Sequence, residues 1–90
     1  MEFEWDETKR HHVLETRGID FFDAQQLFDG RPVITNAVLR AGEERWLSIG
    51  KIEKRMIAMV WTWREDRIRI IAMRRARDEE KSRYGALYGG

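Results

Sequence analysis

The sequence predicts an α+β fold, in which two N-terminal helices pack on an antiparallel sheet of about four to five strands and a short C-terminal helix follows. Two observations carry this prediction. Apolar residues recur at helical spacing between helix start and stop signals in the first third of the chain. In the remainder, apolar and polar residues alternate over short segments, which is typical of strands with one covered face. Ninety residues make one domain, predicted as residues 1–88, with 89–90 as a flexible tail.

The N-terminal third contains a short strand and the signals of both predicted helices. Residues 3–5 alternate as a first strand would. Asp6 is a suitable N-cap for a helix running to about residue 16, and Gly18 can adopt the positive φ that ends a helix. Asp20 begins the second helix, which stops at the turn-forming residues 29–32. The predicted buried stripe of this helix comprises Phe21, Ala24, Leu27 and Phe28.

The main sheet is predicted from four further segments, which are residues 33–35, 45–50, 56–63 and 68–73, with a turn at Ala41-Gly42. A tight connection at Glu65-Asp66 joins the last two segments as a hairpin. The predicted register places residues 63, 61, 59 and 57 opposite residues 68, 70, 72 and 74. Asp78 then begins the short C-terminal helix, around residues 79–84.

Alternation along this hairpin defines two faces of the predicted sheet. We expect the helices to cover the face that includes Trp61 and Trp63, and both rings to belong to the core. Arg74 follows three apolar positions on that same face. Because it stands at the end of its strand, we interpret it as projecting past the core into a cleft. The opposite face is apolar in the middle and basic towards both ends.

The charge is unevenly distributed along the chain. Residues 1–30 hold three Lys or Arg against eight Asp or Glu, whereas residues 31–90 hold fourteen against eight. The formal net charge of +1 therefore combines an acidic part of −5 with a basic part of +6. A basic surface on the larger part favours a phosphate-rich partner.

The composition also excludes several classes of protein. The chain has no cysteine, which excludes disulfide scaffolds, thiolate nucleophiles and cysteine-based zinc sites. No apolar run approaches the roughly 20 residues that span a bilayer, and the acidic N-terminus lacks the layout of a signal peptide. A cytoplasmic protein without membrane contact is expected. His11 and His12 are adjacent on a helix and point about 100° apart, so they cannot chelate one metal together, and we predict no metal and no cofactor.

The arginines of the strands are the main candidates for a functional site. Arg67 and Arg77 fit the ordinary interpretation of charges that protect a sheet edge. The others flank apolar positions and could converge; they are Arg45, Arg64, Arg69, Arg74 and Arg75. Forked guanidinium groups suit a phosphate and the charge that develops on it in a transition state. Trp46 and Tyr84 could stack on bases, although a core or rim position is the commoner role for a residue such as Trp46.

Several fragments taken together resemble the BrnT-type toxin family. They are Phe3-x-Trp5-Asp6-x-x-Lys9, the segment from Gly18 to Asp29, Glu44-Arg45, Ile49-Gly50, Thr62-x-Arg64, Ile68-Arg69-Ile70-Ile71-x-x-Arg74-x-Ala76 and Glu80-x-x-x-Tyr84. The resemblance runs from Phe3 to Tyr84. It implies a fold like that of RelE-type ribonucleases and the toxin half of a type II toxin–antitoxin pair. It also implies metal-independent RNA cleavage that inhibits translation.

The resemblance implies partners and site residues as well. The expected partners are the RNA substrate, a BrnA-type ribbon-helix-helix antitoxin, and operator DNA reached only through that antitoxin. The residues carried over as catalytic are Lys9, Glu44, Arg45, Arg64 and Arg74, and those carried over as substrate-binding are Thr62, Arg69, Arg75 and Tyr84. Three of the catalytic arginines would stabilise the phosphorane. Lys9 and Glu44 are alternatives for proton transfer.

Two departures from the family pattern leave a second interpretation open. The family commonly has Lys-His before the glycine, where this chain has Thr16-Arg17, and Ser-Ala before the strand-end arginine, where it has Ala72-Met73. Arginine is a poor base at neutral pH. The alternative is therefore a corepressor that binds the antitoxin and has lost nuclease activity. A third interpretation is a general single-stranded RNA binder without such a partner.

Overall fold

The computed structural model describes residues 1–40 and 42–89, which form five strands, two α-helices and one 3-10 helix. In chain order these are β1 (Glu2–Glu4), α1 (Glu7–Arg17), the 3-10 helix (Phe21–Leu27), β2 (Val33–Arg40), β3 (Glu43–Ile52), β4 (Arg55–Arg64), β5 (Arg67–Arg75) and α2 (Asp78–Tyr88). The α+β class is thus confirmed. Within the described ranges, no helix is long and apolar enough to cross a membrane.

All five strands belong to one sheet, in the order β1-β5-β4-β3-β2. Neighbouring strands are antiparallel except at one edge, where β1 runs parallel to β5. The sheet is therefore mixed, and the prediction of a purely antiparallel sheet was wrong at this edge. A parallel neighbour requires a long crossover. The helices and three strands that separate β1 from β5 provide that connection, and no local pattern around residues 3–5 indicates it.

The prediction of two N-terminal helices as the layer on the sheet also needs correction. The first helix forms as expected, with the Asp6 side chain accepting a hydrogen bond from the Lys9 amide and Gly18 ending it at φ 68°. The second is a 3-10 helix that begins after Asp20. Its buried residues are Phe21, Ala24 and Leu27. A spacing of three suits the three residues per turn of a 3-10 helix, which brings these side chains onto one line.

The two faces of the sheet have separate cores. The aromatic face, which carries Trp46, Trp61 and Trp63, is covered by α1 and the 3-10 helix through a cluster that includes Val13, Phe21 and Leu27. The arginine face, which carries Arg45, Arg69 and Arg74, is covered by α2. The cluster on that face comprises Ile49, Ala58, Ala76 and Tyr84. Helices therefore lie on both faces rather than on one.

A β-bulge in the β4–β5 hairpin changes which face each later residue occupies. The predicted pairs 63 with 68 and 61 with 70 are confirmed. The register then shifts between Val60 and Trp61, so that Val60 pairs with Ala72 and Ile57 with Arg75. The predicted pairs 59 with 72 and 57 with 74 were therefore wrong. Ile71 is the extra residue, because a bulge places two residues of one strand opposite one of its partner.

The bulge moves an apolar side chain inwards and a cation outwards. Met73 pairs with Met59 and is fully buried on the aromatic face. Arg74 pairs with Ala58 and lies on the arginine face, so the prediction that Arg74 shares a face with Trp61 was wrong. The physical reason is the cost of burying an unpaired charge, which a methionine at this depth avoids.

The turns and strand ends agree with the sequence predictions only in part. Glu53 and Lys54 both have positive φ in the β3–β4 turn, as a type I′ turn requires. Of the predicted turn at Ala41-Gly42, Gly42 has φ 74° and Ala41 lies outside the described residues. Of the predicted tail, Gly89 is the C-cap of α2 and Gly90 lies outside the described residues. Trp63 is 47% exposed at the end of β4, so its predicted core position was wrong, whereas Trp61 is buried.

Candidate functional site

A small pocket of about 190 Å³ on the arginine face brings three guanidinium groups together. Its cationic residues are Arg45, Arg74 and Arg77, and its apolar residues are Val38, Leu47 and Val60. We call this the arginine pocket. Its volume is below the roughly 300 Å³ at which small-molecule sites begin, so it suits a single phosphate group rather than a whole nucleotide.

Strand register explains why these side chains meet. Val38 pairs with Arg45 across β2 and β3, and Leu47 pairs with Val60 across β3 and β4. Paired residues project to the same side of a sheet, and so do residues two apart along one strand. The bulge in β5 places Arg74 on this side as well. The pocket therefore depends on contributions from all the strands between β2 and β5.

Arg45 contributes a hydrogen-bond donor that no other described residue satisfies. Its Nε is buried and has no partner in the described part of the chain. Its Nη2 lies 3.5 Å from Oε2 of Glu43, which is a weak contact with an exposed carboxylate. Buried donors are normally paired, and an orphaned guanidinium nitrogen beside a pocket is a place for an anionic oxygen.

Arg74 is held in place by a carboxylate. Its Nη1 and Nη2 donate to Oε1 and Oε2 of Glu80 at 2.7 and 2.9 Å. The Arg77 amide donates to the same Oε1 at 2.8 Å. Glu80 is only 5% exposed. The hydrogen bond from Arg74, aided by the Arg77 amide, lowers the pKa of Glu80 to about 2 although burial opposes the shift. The same pairing raises the pKa of Arg74.

Three other arginines, of which Arg64 and Arg69 were predicted as site residues, form a separate group around one acid. Arg64, Arg67 and Arg69 lie on the arginine face with nitrogens 3.8, 3.6 and 2.9 Å from the Glu4 carboxylate. Glu4 belongs to β1, where it pairs with Arg69 across the parallel edge. Arg64 and Arg69 therefore do not converge with Arg45 as predicted. They contact Glu4 at the opposite edge of the sheet instead.

The remaining predicted site residues are distributed over both faces. Thr62 lies on the arginine face, and its hydroxyl donates to the Glu44 carbonyl at 2.9 Å. Glu44 precedes Arg45 and so projects to the aromatic face, opposite Leu39. Arg75 is exposed and also projects to the aromatic face, beside Ile57. Lys9 is exposed on α1, the helix whose Val13 packs into the aromatic-face core.

The two aromatic residues predicted as base-stacking candidates are built into the fold. Tyr84 is 5% exposed in the core of the arginine face, and its hydroxyl donates to the Pro32 carbonyl at 3.3 Å. Trp46 stacks on Trp61, with ring centroids 5.9 Å apart. Both positions lie outside the group of residues that lines the arginine pocket.

The segments Thr16-Arg17 and Ala72-Met73 meet in space. Arg17 at the end of α1 donates from Nη1 to the Met73 carbonyl at 2.8 Å. This bond ties the last turn of α1 to β5 one residue before Arg74.

Sequence reasoning missed two residues of the site. Glu80 stands in the first turn of α2, where an acid suits a helix N-terminus, and Arg77 fits the interpretation of a protective edge charge. Both interpretations are the ordinary ones for residues in those places. The available signal was the order of Arg74, Arg77 and Glu80 at the end of a strand, since a chain that turns into a helix there can bring the three together.

The chain is similar to a family of known proteins. A family model described as "Ribonuclease toxin, BrnT, of type II toxin-antitoxin system" matches residues 5–80. The matched segment includes every residue of the arginine pocket and Glu80, and it ends before Tyr84. A search of curated proteins found no match.

Proposed function

Because this chain belongs to the BrnT family of ribonuclease toxins of type II toxin–antitoxin systems, we propose that it is a metal-independent endoribonuclease that acts on RNA in the cytoplasm and inhibits translation. A BrnA-type ribbon-helix-helix antitoxin neutralises it, and operator DNA is reached only through that antitoxin. The helices and mixed sheet are compatible with the RelE-type relationship that the sequence resemblance implies.

The observation that carries the proposal is the buried Nε of Arg45, which lies beside Arg74 and Arg77 and has no hydrogen-bond partner among the described residues. A phosphate oxygen supplies the acceptor that this nitrogen lacks. The apolar residues of the pocket keep the local dielectric low, which strengthens the attraction between guanidinium groups and a doubly charged phosphorane. Cations fixed in advance by the fold need no reorganisation during the reaction.

The reaction is a transesterification. The ribose 2′-oxygen attacks the adjacent phosphorus and loses its proton to a base, and the bond from phosphorus to the 5′-oxygen breaks. The leaving 5′-oxygen takes a proton from an acid, so the products are a 2′,3′-cyclic phosphate and a 5′-hydroxyl. In the pocket, Arg45, Arg74 and Arg77 stabilise charge but do not accept protons at neutral pH.

Glu43, which contacts Arg45, is a candidate for proton transfer. Glu80 stays ionised and engaged by Arg74, so it positions that arginine rather than exchanging protons. Glu43 lies two residues before Arg45 and so shares its face of the sheet, with the two side chains 3.5 Å apart. We therefore add Glu43 to the sequence-based alternatives Lys9 and Glu44.

Induced expression in bacteria tests the proposal. We expect wild-type protein to arrest growth and its purified form to degrade RNA in buffer that contains a chelator. Arg45→Ala and Arg74→Ala should abolish both effects. Arg83→Ala is the matched control, because Arg83 is an exposed arginine of α2 that does not line the arginine pocket. Circular dichroism of each variant separates loss of activity from loss of fold.

The alternative function is antitoxin binding and corepression without RNA cleavage. It is favoured by one specific observation, that both terminal nitrogens of Arg74 already bind Glu80. Normal growth and intact RNA with soluble, folded wild-type protein would support this alternative and contradict the nuclease.

A further inference from the structure

A second and larger cavity, of about 580 Å³, opens at the other end of the sheet. Three cations line it, Arg31, Lys51 and Lys54, together with Gln26, Glu53 and Tyr84. We call it the lysine pocket. None of the three cations is among the site residues that the sequence suggested. The volume lies within the roughly 300–1,000 Å³ of ordinary ligand sites.

The lysine pocket shares the arginine face through Lys51 and Tyr84, and Gln26 of the 3-10 helix lines its side at the end of the sheet. Along β3, Leu47 lines the arginine pocket and Lys51 lines the lysine pocket. Ile49 stands between them and is buried in one cluster with Tyr84 of α2. The two pockets therefore flank the contact between α2 and the sheet. Four residues of extended strand separate Leu47 from Lys51 by about 13 Å.

The charge of the lysine pocket favours an anion. Three cations face the single acid Glu53. Arg31 is partly neutralised, since its Nε lies 2.9 Å from Oδ2 of Asp29. Lys51 and Lys54 form no ion pair with any described residue. Two ammonium groups are thus free to bind phosphate oxygens.

We propose that the lysine pocket binds a backbone phosphate of the same RNA strand whose scissile phosphate occupies the arginine pocket. This inference rests on the proposed ribonuclease function and adds a second anchoring point for the substrate. An extended, multiply charged ligand fits two cationic pockets on one face better than a small ligand does. Sequence-tolerant binders of single strands use such basic tracks along the backbone.

The shape of the pocket supports this ligand over a buried base. The Tyr84 ring is part of the core and presents little surface to a stacking partner, so a stacked base is disfavoured and the charged contacts come from Arg31, Lys51 and Lys54. Binding through the backbone then depends strongly on salt and weakly on sequence. The lysine pocket therefore raises the affinity for the RNA and orients the strand, and the reaction takes place in the arginine pocket.

The experiment measures RNA binding separately from cleavage. The probe is a fluorescent 2′-O-methyl RNA of about 16 nucleotides, which lacks the nucleophilic hydroxyl and spans both pockets. Fluorescence anisotropy compares wild type with the double variant Lys51→Glu/Lys54→Glu. The control is Lys81→Glu/Arg83→Glu, which makes the same charge change at exposed positions of α2 that line neither pocket. The milder pair Lys51→Gln/Lys54→Gln serves if the first double variant is unfolded.

We expect the pocket variant to weaken binding by about ten-fold or more at fixed salt, and to lower the slope of log affinity against log salt by about 1 to 2. The control should change affinity much less. Equal losses in both double variants would overturn the proposal, because general charge would then account for binding. Undetectable binding by wild type would overturn it too.

Failure of the proposed function gives a different result. A wild-type protein that binds the probe through the lysine pocket, yet leaves unmodified RNA of the same sequence intact, would refute the nuclease and retain the binding site. A protein that cleaves unmodified RNA equally well with and without Lys51 and Lys54, and binds the probe equally well, would retain the nuclease and refute the site.

Discussion

The guanidinium group of Arg74 and the carboxylate of Glu80 are joined by two hydrogen bonds, of 2.7 and 2.9 Å, across the junction between β5 and α2. This pair fixes the start of α2 against the sheet and holds Arg74 at the edge of the arginine pocket. One buried carboxylate therefore couples the stability of the C-terminal helix to the geometry of the proposed phosphate site.

Glu80→Gln should destabilise the protein in a pH-dependent way. The pKa of Glu80 is lowered from 4.5 to about 2 on folding, so its contribution is fully present above pH 4.5 and is lost as pH falls towards 2. The shift corresponds to at most about 3 kcal/mol at neutral pH. Urea unfolding of both proteins at pH 7 and pH 3 checks this. A difference in unfolding free energy that does not narrow at pH 3 would contradict it.

Glu43→Gln should slow RNA cleavage more than Glu44→Gln. Alternation of side chains along β3 puts Glu43 on the face of Arg45 and Glu44 on the other. Loss of a residue that transfers a proton typically costs on the order of 10²-fold or more in rate. Single-turnover cleavage of a labelled RNA measures this, and each variant is the other's control. A larger effect at Glu44 would restore the sequence-based assignment.

Gly50→Ala should destabilise the fold through contact with the 3-10 helix. A Cβ at this position would lie 2.8 Å from Cδ2 of Leu27, closer than real side chains approach each other. Overpacking of this kind costs about 1–3 kcal/mol. The double variant Gly50→Ala/Leu27→Ala should be more stable than the sum of the single changes predicts, because the clash is removed. Strict additivity in thermal or urea unfolding would show that the two sites do not interact.

Lys54→Gly should stabilise the β3–β4 turn. Lys54 has φ 83°, in the left-handed region that costs residues with a Cβ about 1 kcal/mol and glycine nothing comparable. For a domain of this size the melting temperature should rise by several degrees, about 4–8 °C per kcal/mol. Lys54→Ala removes the same ammonium group but keeps the Cβ, and it should give no such increase. Equal melting temperatures for the two variants would argue against relief of backbone strain.

Ser48→Ala should destabilise the aromatic-face core. The Trp61 indole donates to the Ser48 hydroxyl at 2.8 Å, and Ser48 is fully buried. Removing the acceptor leaves a buried donor unpaired, which costs about 1–3 kcal/mol. Unfolding of Ser48→Ala compared with Ser48→Ala/Trp61→Phe tests this, because phenylalanine has no donor to leave unpaired. If Trp61→Phe lowers the free energy of unfolding as much in the Ser48→Ala protein as in the wild type, the hydrogen bond contributes little.

Local signals in the sequence were sufficient for most elements of the fold. Asp6 and Gly18 mark the ends of α1, and Glu65-Asp66 marks the hairpin turn whose first two pairs were predicted. Capping and turn formation depend on residues a few positions apart, so they can be predicted from a single sequence. The same holds for the arginine-rich composition of β5, which indicated a phosphate partner.

The site was only partly predictable. Arg45 and Arg74 were both proposed from the sequence and both line the arginine pocket. Arg64 and Arg69 were proposed alongside them, but Glu4 draws them to the parallel edge. These contacts join residues 60 and 65 positions apart in the chain. Pairing at such a distance depends on which edge of the sheet β1 joins, and no local pattern specifies the edge.

The sequence by itself determined the α+β class, the positions of most elements, the family resemblance and the presence of a basic surface, because each follows from periodicity, turn residues or composition. The tertiary structure alone decided the bulge at Ile71, the face that Arg74 occupies and the partner that holds it. A side chain's face changes with a single-residue shift in register. Whether that shift occurs is set by which side chain the core can bury, and here Met73 is buried in place of a charged residue.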